Sequence, residues 1–146
     1  MAMTFAVPLE EVAHDETERF GGKAANLGRL LRLGAQVPPG FSIAADALDF
    51  VLEANGVDRA IGELAAKLDF EDFAAVEART GEIRDLIQKA RIPDTLQGEI
   101  VDRYEQLVSG RNRFVAVRSS VAVRETPISS FPGMMDTYHY VLGSDE

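Results

Sequence analysis

Val117-Arg118-Ser119-Ser120, answered further on by Phe131-Pro132-Gly133-Met134-Met135-Asp136-Thr137, is the part of the chain around which the rest is arranged. The first piece closes an apolar, β-prone run, Phe114-Val115-Ala116-Val117, with an arginine and two serines. A turn-rich segment with Pro127, Ser129, Ser130, Pro132 and Gly133 follows, and β-prone residues return at Thr137-Tyr138-His139-Tyr140-Val141-Leu142. The pattern predicts strand, polar loop, strand. Such a loop suits anion binding: Arg118 at a strand end offers a planar donor fork matched to phosphate oxygens. Ser119, Ser120, Ser129, Ser130 and Thr137 add hydroxyl donors, and Gly133 lets the backbone come close to a ligand. Composition alone leaves open an ordinary hairpin with a serine-rich loop and a solvated arginine.

A second piece lies near the N-terminus, Phe20-Gly21-Gly22-Lys23-Ala24-Ala25-Asn26-Leu27-Gly28-Arg29-Leu30-Leu31-Arg32-Leu33-Gly34. Ala24, Leu27, Leu30, Leu31 and Leu33 predict one apolar helix face, with Gly34 placed to end the helix. The paired glycines put a turn at the helix start, where free N–H groups and the macrodipole favour an anion. Lys23 falls in the first turn, the end at which the macrodipole disfavours a cation, and a bound phosphate would offset that cost. The glycine spacing and the residue after the lysine exclude a P-loop. A plain helix-start turn is the alternative.

The chain has 146 residues and 46% hydrophobic content, enough for one domain, or one domain and part of another. Its 24 acidic and 15 basic residues give a formal charge of −9, which argues against nonspecific binding to nucleic acid or anionic membranes. A nucleotide held by a few local cations is compatible with it. The absence of cysteine excludes disulfides, thiolate catalysis and cysteine-ligated metal sites. No basic leader and no apolar run of membrane-spanning length are found, so the expectation is a soluble, cytoplasmic protein.

Between these pieces, Phe5-Ala6-Val7 reads as an edge strand and residues 10–18 as a polar link in which His14 is a solvated side chain. Val37-Pro38-Pro39-Gly40 forces a turn into a short strand, Phe41-Ser42-Ile43. Residues 44–55 read as a helix ended by Gly56, with Leu48, Val51 and Leu52 inward. From Asp58 to Val108 the pattern is helical almost throughout, with three apolar faces: Ile61, Leu64, Ala65, Leu68; Phe73, Val76, Ile83, Leu86, Ile87; and Leu96, Ile100, Tyr104, Leu107, Val108. Residues 109–113 read as a turn. His139, between two tyrosines in a strand pattern, is assigned to one sheet face with a structural role. Asp136 reads as a hydrogen-bond partner rather than a metal ligand, and Met134-Met135 as core filler.

Taken in order, Gly21-Gly22-Lys23-Ala24-Ala25-Asn26-Leu27-Gly28, Val37-Pro38-Pro39-Gly40-Phe41 and the Val117–Thr137 pieces resemble the N-terminal part of the nucleotide-binding domain of the phosphoenolpyruvate synthase and pyruvate phosphate dikinase family, to which rifampin phosphotransferase is related. The resemblance covers essentially the whole chain. It implies an α+β, ATP-grasp-like fold. Residues 1–146 would be its N-terminal portion, with a small mixed or antiparallel sheet and a helical insertion over about residues 44–108. It implies ATP-binding roles for Lys23 and Arg118 at the phosphates and for Gly133 and Thr137 in lining the nucleotide site, with Ser119 and Ser120 as candidate phosphate contacts. The family reaction cleaves ATP to AMP and phosphate and moves the β-phosphoryl group to a histidine on a separate swivelling domain, then to pyruvate or a similar acceptor. Neither His14 nor His139 matches that histidine's motif. The magnesium-binding acids, the second ATP-grasp subdomain and the phosphohistidine domain are expected outside this sequence, so no catalytic residue and no metal ligand is assigned within it. Arg124-Glu125 stands where synthase-like members carry an acidic pair, and the Pro132–Thr137 loop looks like the dikinase version. A noncatalytic nucleotide-binding or interaction module that keeps the scaffold alone is the alternative from a different class.

Overall fold

The computed structural model describes residues 4–109, 114–119, 122 and 136–143. Nine principal elements follow one another: β1 (Ala6–Pro8), α1 (Thr17–Arg32), β2 (Phe41–Ile43), α2 (Asp46–Ala54), α3 (Asp58–Ala65), α4 (Phe73–Lys89), α5 (Asp94–Val108), β3 (Phe114–Arg118) and β4 (Thr137–Leu142), with one 3₁₀ turn at Leu9–Glu11. The mixture of helices and small antiparallel sheets agrees with the predicted α+β class. The described strands form two separate pairs, β1 with β2 and β3 with β4, both antiparallel. The chain divides into two compact units, Met1–Asp46 with Thr95–Glu146, and Ala47–Asp94.

In the first unit α1 is shaped by its glycines. Gly21 has φ 77° and ψ 161°, a backbone state that side chains with a Cβ resist, and it interrupts the helix so that a new segment starts at Gly22-Lys23. Beyond the break Ala24, Ala25 and Gly28 are buried, and with Phe20, Leu9, Val12 and Ala44 they make the core. The small face lets the 3₁₀ turn lie against the helix backbone: a Cβ on Gly28 would stand 2.6 Å from the Leu9 carbonyl oxygen and 2.7 Å from that of Val12. One turn on, Arg32 Nη1 donates to the carbonyls of Val12 at 2.6 Å and Glu10 at 3.3 Å, so acceptors crowded by the approach are satisfied. Gly34, at φ 80°, ends α1 in a Schellman motif, with Ala35 N–H bonding the Leu30 carbonyl and Gly34 N–H that of Leu31.

This burial corrects the predicted leucine stripe. Leu27 and Leu31 pack on the core, but Leu30 is exposed and Leu33 is 72% exposed. At roughly 100° per residue Leu30 and Leu33 lie about 200° and 140° round from Gly28, on the far side of the helix. Close backbone approach, not side-chain size, selected the inner face.

β1 pairs with β2 in the register Ala6↔Ile43, Val7↔Ser42, Pro8↔Phe41. Its other edge is closed by side chains of α5. The Ala6 N–H donates to Glu99 Oε1 at 2.7 Å, and Arg103 Nε donates to the Ala6 carbonyl at 3.1 Å. Glu99 and Arg103 stand four apart, on one helix face, and replace the neighbouring strand that a fully buried Ala6 would otherwise need.

The second unit holds α2 from Ala47 onward, α3 and α4. Gly56, at φ 66°, ends α2 in another Schellman motif, with Val57 N–H on the Leu52 carbonyl and Gly56 N–H on that of Glu53. Asn55 then acts as a clip: its Nδ2 donates to the carbonyls of Val51 at 2.7 Å and Arg91 at 2.8 Å, and its Oδ1 accepts from Arg91 N–H at 2.9 Å. Asp72 caps α4 by accepting from Ala75 N–H at 3.1 Å. No residue of α3 or α4 is buried. Ile61, Leu64, Val76, Ile83 and Leu86 are half-buried on facing sides, whereas Leu48 is exposed and Phe73 is 85% exposed, against the prediction that both point inward. Phe73 occupies the first position after the cap, beyond the stretch where α3 and α4 face each other, and a unit this small covers little of its apolar surface.

Replacing Gly28 with Ala should lower stability by about 1–3 kcal/mol, because a methyl group cannot share space with two backbone oxygens. Urea unfolding of the variant checks this, with an unchanged midpoint as the contrary result. Asn55→Ala should cost about 1–2 kcal/mol through the three hydrogen bonds it deletes, read from the same measurement.

Candidate functional site

The β3–β4 ribbon carries the second half of the site, and its register is irregular. Phe114 faces Leu142 and Val115 faces Val141, whereas Val117 faces Tyr138 and Arg118 faces Thr137. Ala116 therefore stands opposite two residues, His139 and Tyr140, in a β-bulge. Tyr140 takes up the extra length at φ 61°, a left-handed state uncommon for a bulky side chain. It is 81% exposed, and its ring meets Phe114 edge to face at 6.2 Å. The expected strict alternation of Tyr138, His139 and Tyr140 is broken here, since a bulge resets which side each residue faces. No periodicity rule finds such a bulge without the partner strand.

Beyond the bulge the ribbon regains regular pairing, which sets Arg118 directly opposite Thr137. Both side chains are exposed. The next residue, Ser119, meets α1: Lys23 Nζ donates to the Ser119 carbonyl at 2.9 Å, across 96 positions of sequence. The break at Gly21 puts Lys23 in the first turn of the restarted helix, on the side that reaches the strand end. Ser119 also spans the mouth of the loop, its Oγ lying 3.4 Å from the Asp136 carbonyl in a long hydrogen bond. At the far end of the ribbon, Gly143 N–H donates to the hydroxyl of the buried Tyr104 at 2.9 Å.

Lys23, Arg118, Ser119, Asp136 and Thr137 are thus gathered at one end of the ribbon. Gly133 and Ser120, and with them Arg124, Glu125, Met134 and Met135, lie outside the described residues. Ion pairs among the described residues involve Arg19, Arg59, Lys89 and Arg91, none of them at this end. Among the described residues neither Lys23 nor Arg118 has a carboxylate partner. His14 is exposed. Among the described residues no group of three or more histidines and acids is placed to hold a metal ion, and no helix is long and apolar enough to cross a membrane. Sequence reading missed the tie from Lys23 to Ser119, because a lysine's partner on a remote backbone carbonyl leaves no local signature.

At this end of the ribbon Lys23, from the glycine-broken helix, is held against the residue that follows Arg118. The chain is a member of the family described as the pyruvate phosphate dikinase AMP/ATP-binding domain, whose model matches residues 17–146. The resemblance read from the three motifs is borne out. Among curated relatives, the chain is 36% identical over 146 residues to a probable phosphoenolpyruvate synthase of Staphylothermus marinus, covering 97% of this chain and 18% of the relative. It is 37% identical over 140 residues to one of Archaeoglobus fulgidus, covering 94% of this chain and 19% of the relative. With the phosphoenolpyruvate synthase of Neisseria meningitidis serogroup B it shares 36% identity over 153 residues, covering 99% of this chain and 19% of the relative. The chain therefore spans less than a quarter of the length of these relatives.

Tyr104→Phe should leave the Gly143 N–H without its acceptor and cost about 1 kcal/mol, with the loss confined to the ribbon. Amide exchange at Gly143 and Leu142 tests this, and unchanged protection would show that the hydroxyl holds nothing.

Proposed function

We propose that this chain is the N-terminal portion of an ATP-grasp-like nucleotide-binding domain, residues 1–146, in a phosphotransferase of the phosphoenolpyruvate synthase and pyruvate phosphate dikinase type. The helices over about residues 44–108 would be an insertion in that domain. Lys23 and Arg118 contact the phosphates of ATP, Gly133 and Thr137 line the nucleotide site, and Ser119 and Ser120 add phosphate contacts. The observation that supports this is the bond from Lys23 to the carbonyl of Ser119, the residue after Arg118, across 96 positions of sequence.

Phosphoryl transfer asks little covalent chemistry of the protein. It asks for a polyphosphate held in line and its charge neutralised. A flexible lysine ammonium supplies a point charge with rotatable donors, and an arginine fork fixes orientation, so the pair can grip a triphosphate at two places. The backbone at the start of the helix after Gly21 offers further donors to the same anion. In the proposed reaction ATP yields AMP and phosphate, and the β-phosphoryl group goes to a histidine on another domain and then to pyruvate or a similar acceptor. Magnesium would neutralise the polyphosphate further. Its ligands would lie outside this chain.

In the intact protein that carries this chain, ATP should raise the thermal unfolding temperature. Arg118→Ala should weaken ATP binding at least about tenfold while leaving the ligand-free transition in place, since a charge-assisted phosphate contact is worth roughly 1.5–3 kcal/mol. Equal affinity in the variant, measured by calorimetric titration, would remove Arg118 from the site.

A further inference from the structure

We infer that Lys23 is also a positioning residue for Arg118, resting on the proposed ATP site only for what Arg118 is positioned to do. The Lys23 ammonium holds the Ser119 carbonyl at 2.9 Å, the first carbonyl beyond Arg118. The ribbon needs such a tie. Val117, Arg118, Thr137 and Tyr138 are all exposed, so little apolar burial fixes the site end. A two-stranded ribbon is of marginal stability by itself. Tyr104 holds the opposite end through Gly143. Among the described residues, the Lys23 bond is the hydrogen bond that joins the site end to α1.

The two roles are compatible in one side chain. An ammonium carries three N–H donors and the carbonyl uses one, which leaves two for phosphate oxygens. The same lysine then sets the separation of the two cations before any ligand arrives, and preorganisation of this kind reduces the ordering cost of binding. It follows that deleting the Lys23 ammonium disturbs Arg118 as well as removing a ligand.

Amide hydrogen exchange on the intact, nucleotide-free protein tests the positioning role, comparing wild type with Lys23→Met and Lys23→Arg. The methionine variant should exchange several-fold faster at Val117, Arg118, Thr137 and Tyr138, with α1 and the β1–β2 pair unchanged. The arginine variant, which keeps a long stem with donors, should return toward wild type. Unchanged ribbon rates in the methionine variant overturn the inference, as does acceleration spread evenly over the whole unit. ATP titration supplies the second arm. Arg118→Ala should cost less affinity in the Lys23→Met background than in wild type, and equal costs in both would also overturn the positioning role. Failure of the wild-type protein to bind ATP would instead overturn the proposed function, and leaves the exchange result to stand or fall by itself.

Discussion

An ammonium group resting on a backbone carbonyl, Lys23 on Ser119, is the contact on which the candidate site depends. It closes a loop of 96 positions of sequence, and it does so at the residue after Arg118. Carbonyl oxygen is a neutral acceptor, so the lysine keeps its full positive charge while being held. A carboxylate in the same place would fix the lysine equally well and cancel the charge that an anion needs. Among the described residues no carboxylate pairs with Lys23 or Arg118, although the protein as a whole carries a formal charge of −9. Local arrangement outweighs net charge at contact distance, since long-range fields are screened within about 8–10 Å at moderate ionic strength.

Two glycines within α1 and one just beyond it shape the segment that carries Lys23, each by a different physical means. Gly21 breaks the helix in a backbone state that a Cβ disfavours, which resets the helix start and the direction of Lys23. Gly28 allows the carbonyls of Leu9 and Val12 to touch the helix, which fixes α1 against the core. Gly34 ends the helix with its last carbonyls satisfied. The edge of β1, closed by Glu99 and Arg103, then joins α5 to the same sheet, and Tyr104, the residue after Arg103, holds the end of the ribbon. Positioning runs through hydrogen bonds to backbone atoms at each of these joints, more than through large apolar contacts.

The description of the family to which the chain belongs names an adenine nucleotide. The relatives are about five times as long as the matched stretch.

Much was determined by sequence alone. Gly21-Gly22 before Lys23 signals a turn at a helix start, Gly34 and Gly56 signal helix ends, and Pro38-Pro39-Gly40 signals the turn into β2, because backbone freedom at these residues is a local property; that a helical turn from Thr17 precedes the Gly21 break was not read. The three motifs in order were likewise enough to place the family. Tertiary structure decided the rest. Which face of α1 turns inward depends on how closely another backbone can approach, so the small residues displaced Leu30 and Leu33 from the core. The bulge at Tyr140 exists only in relation to a partner strand. The meeting of Lys23 with Ser119 is a contact between residues 96 positions apart, and the spacing of residues along a chain carries no record of which remote carbonyl an ammonium will find.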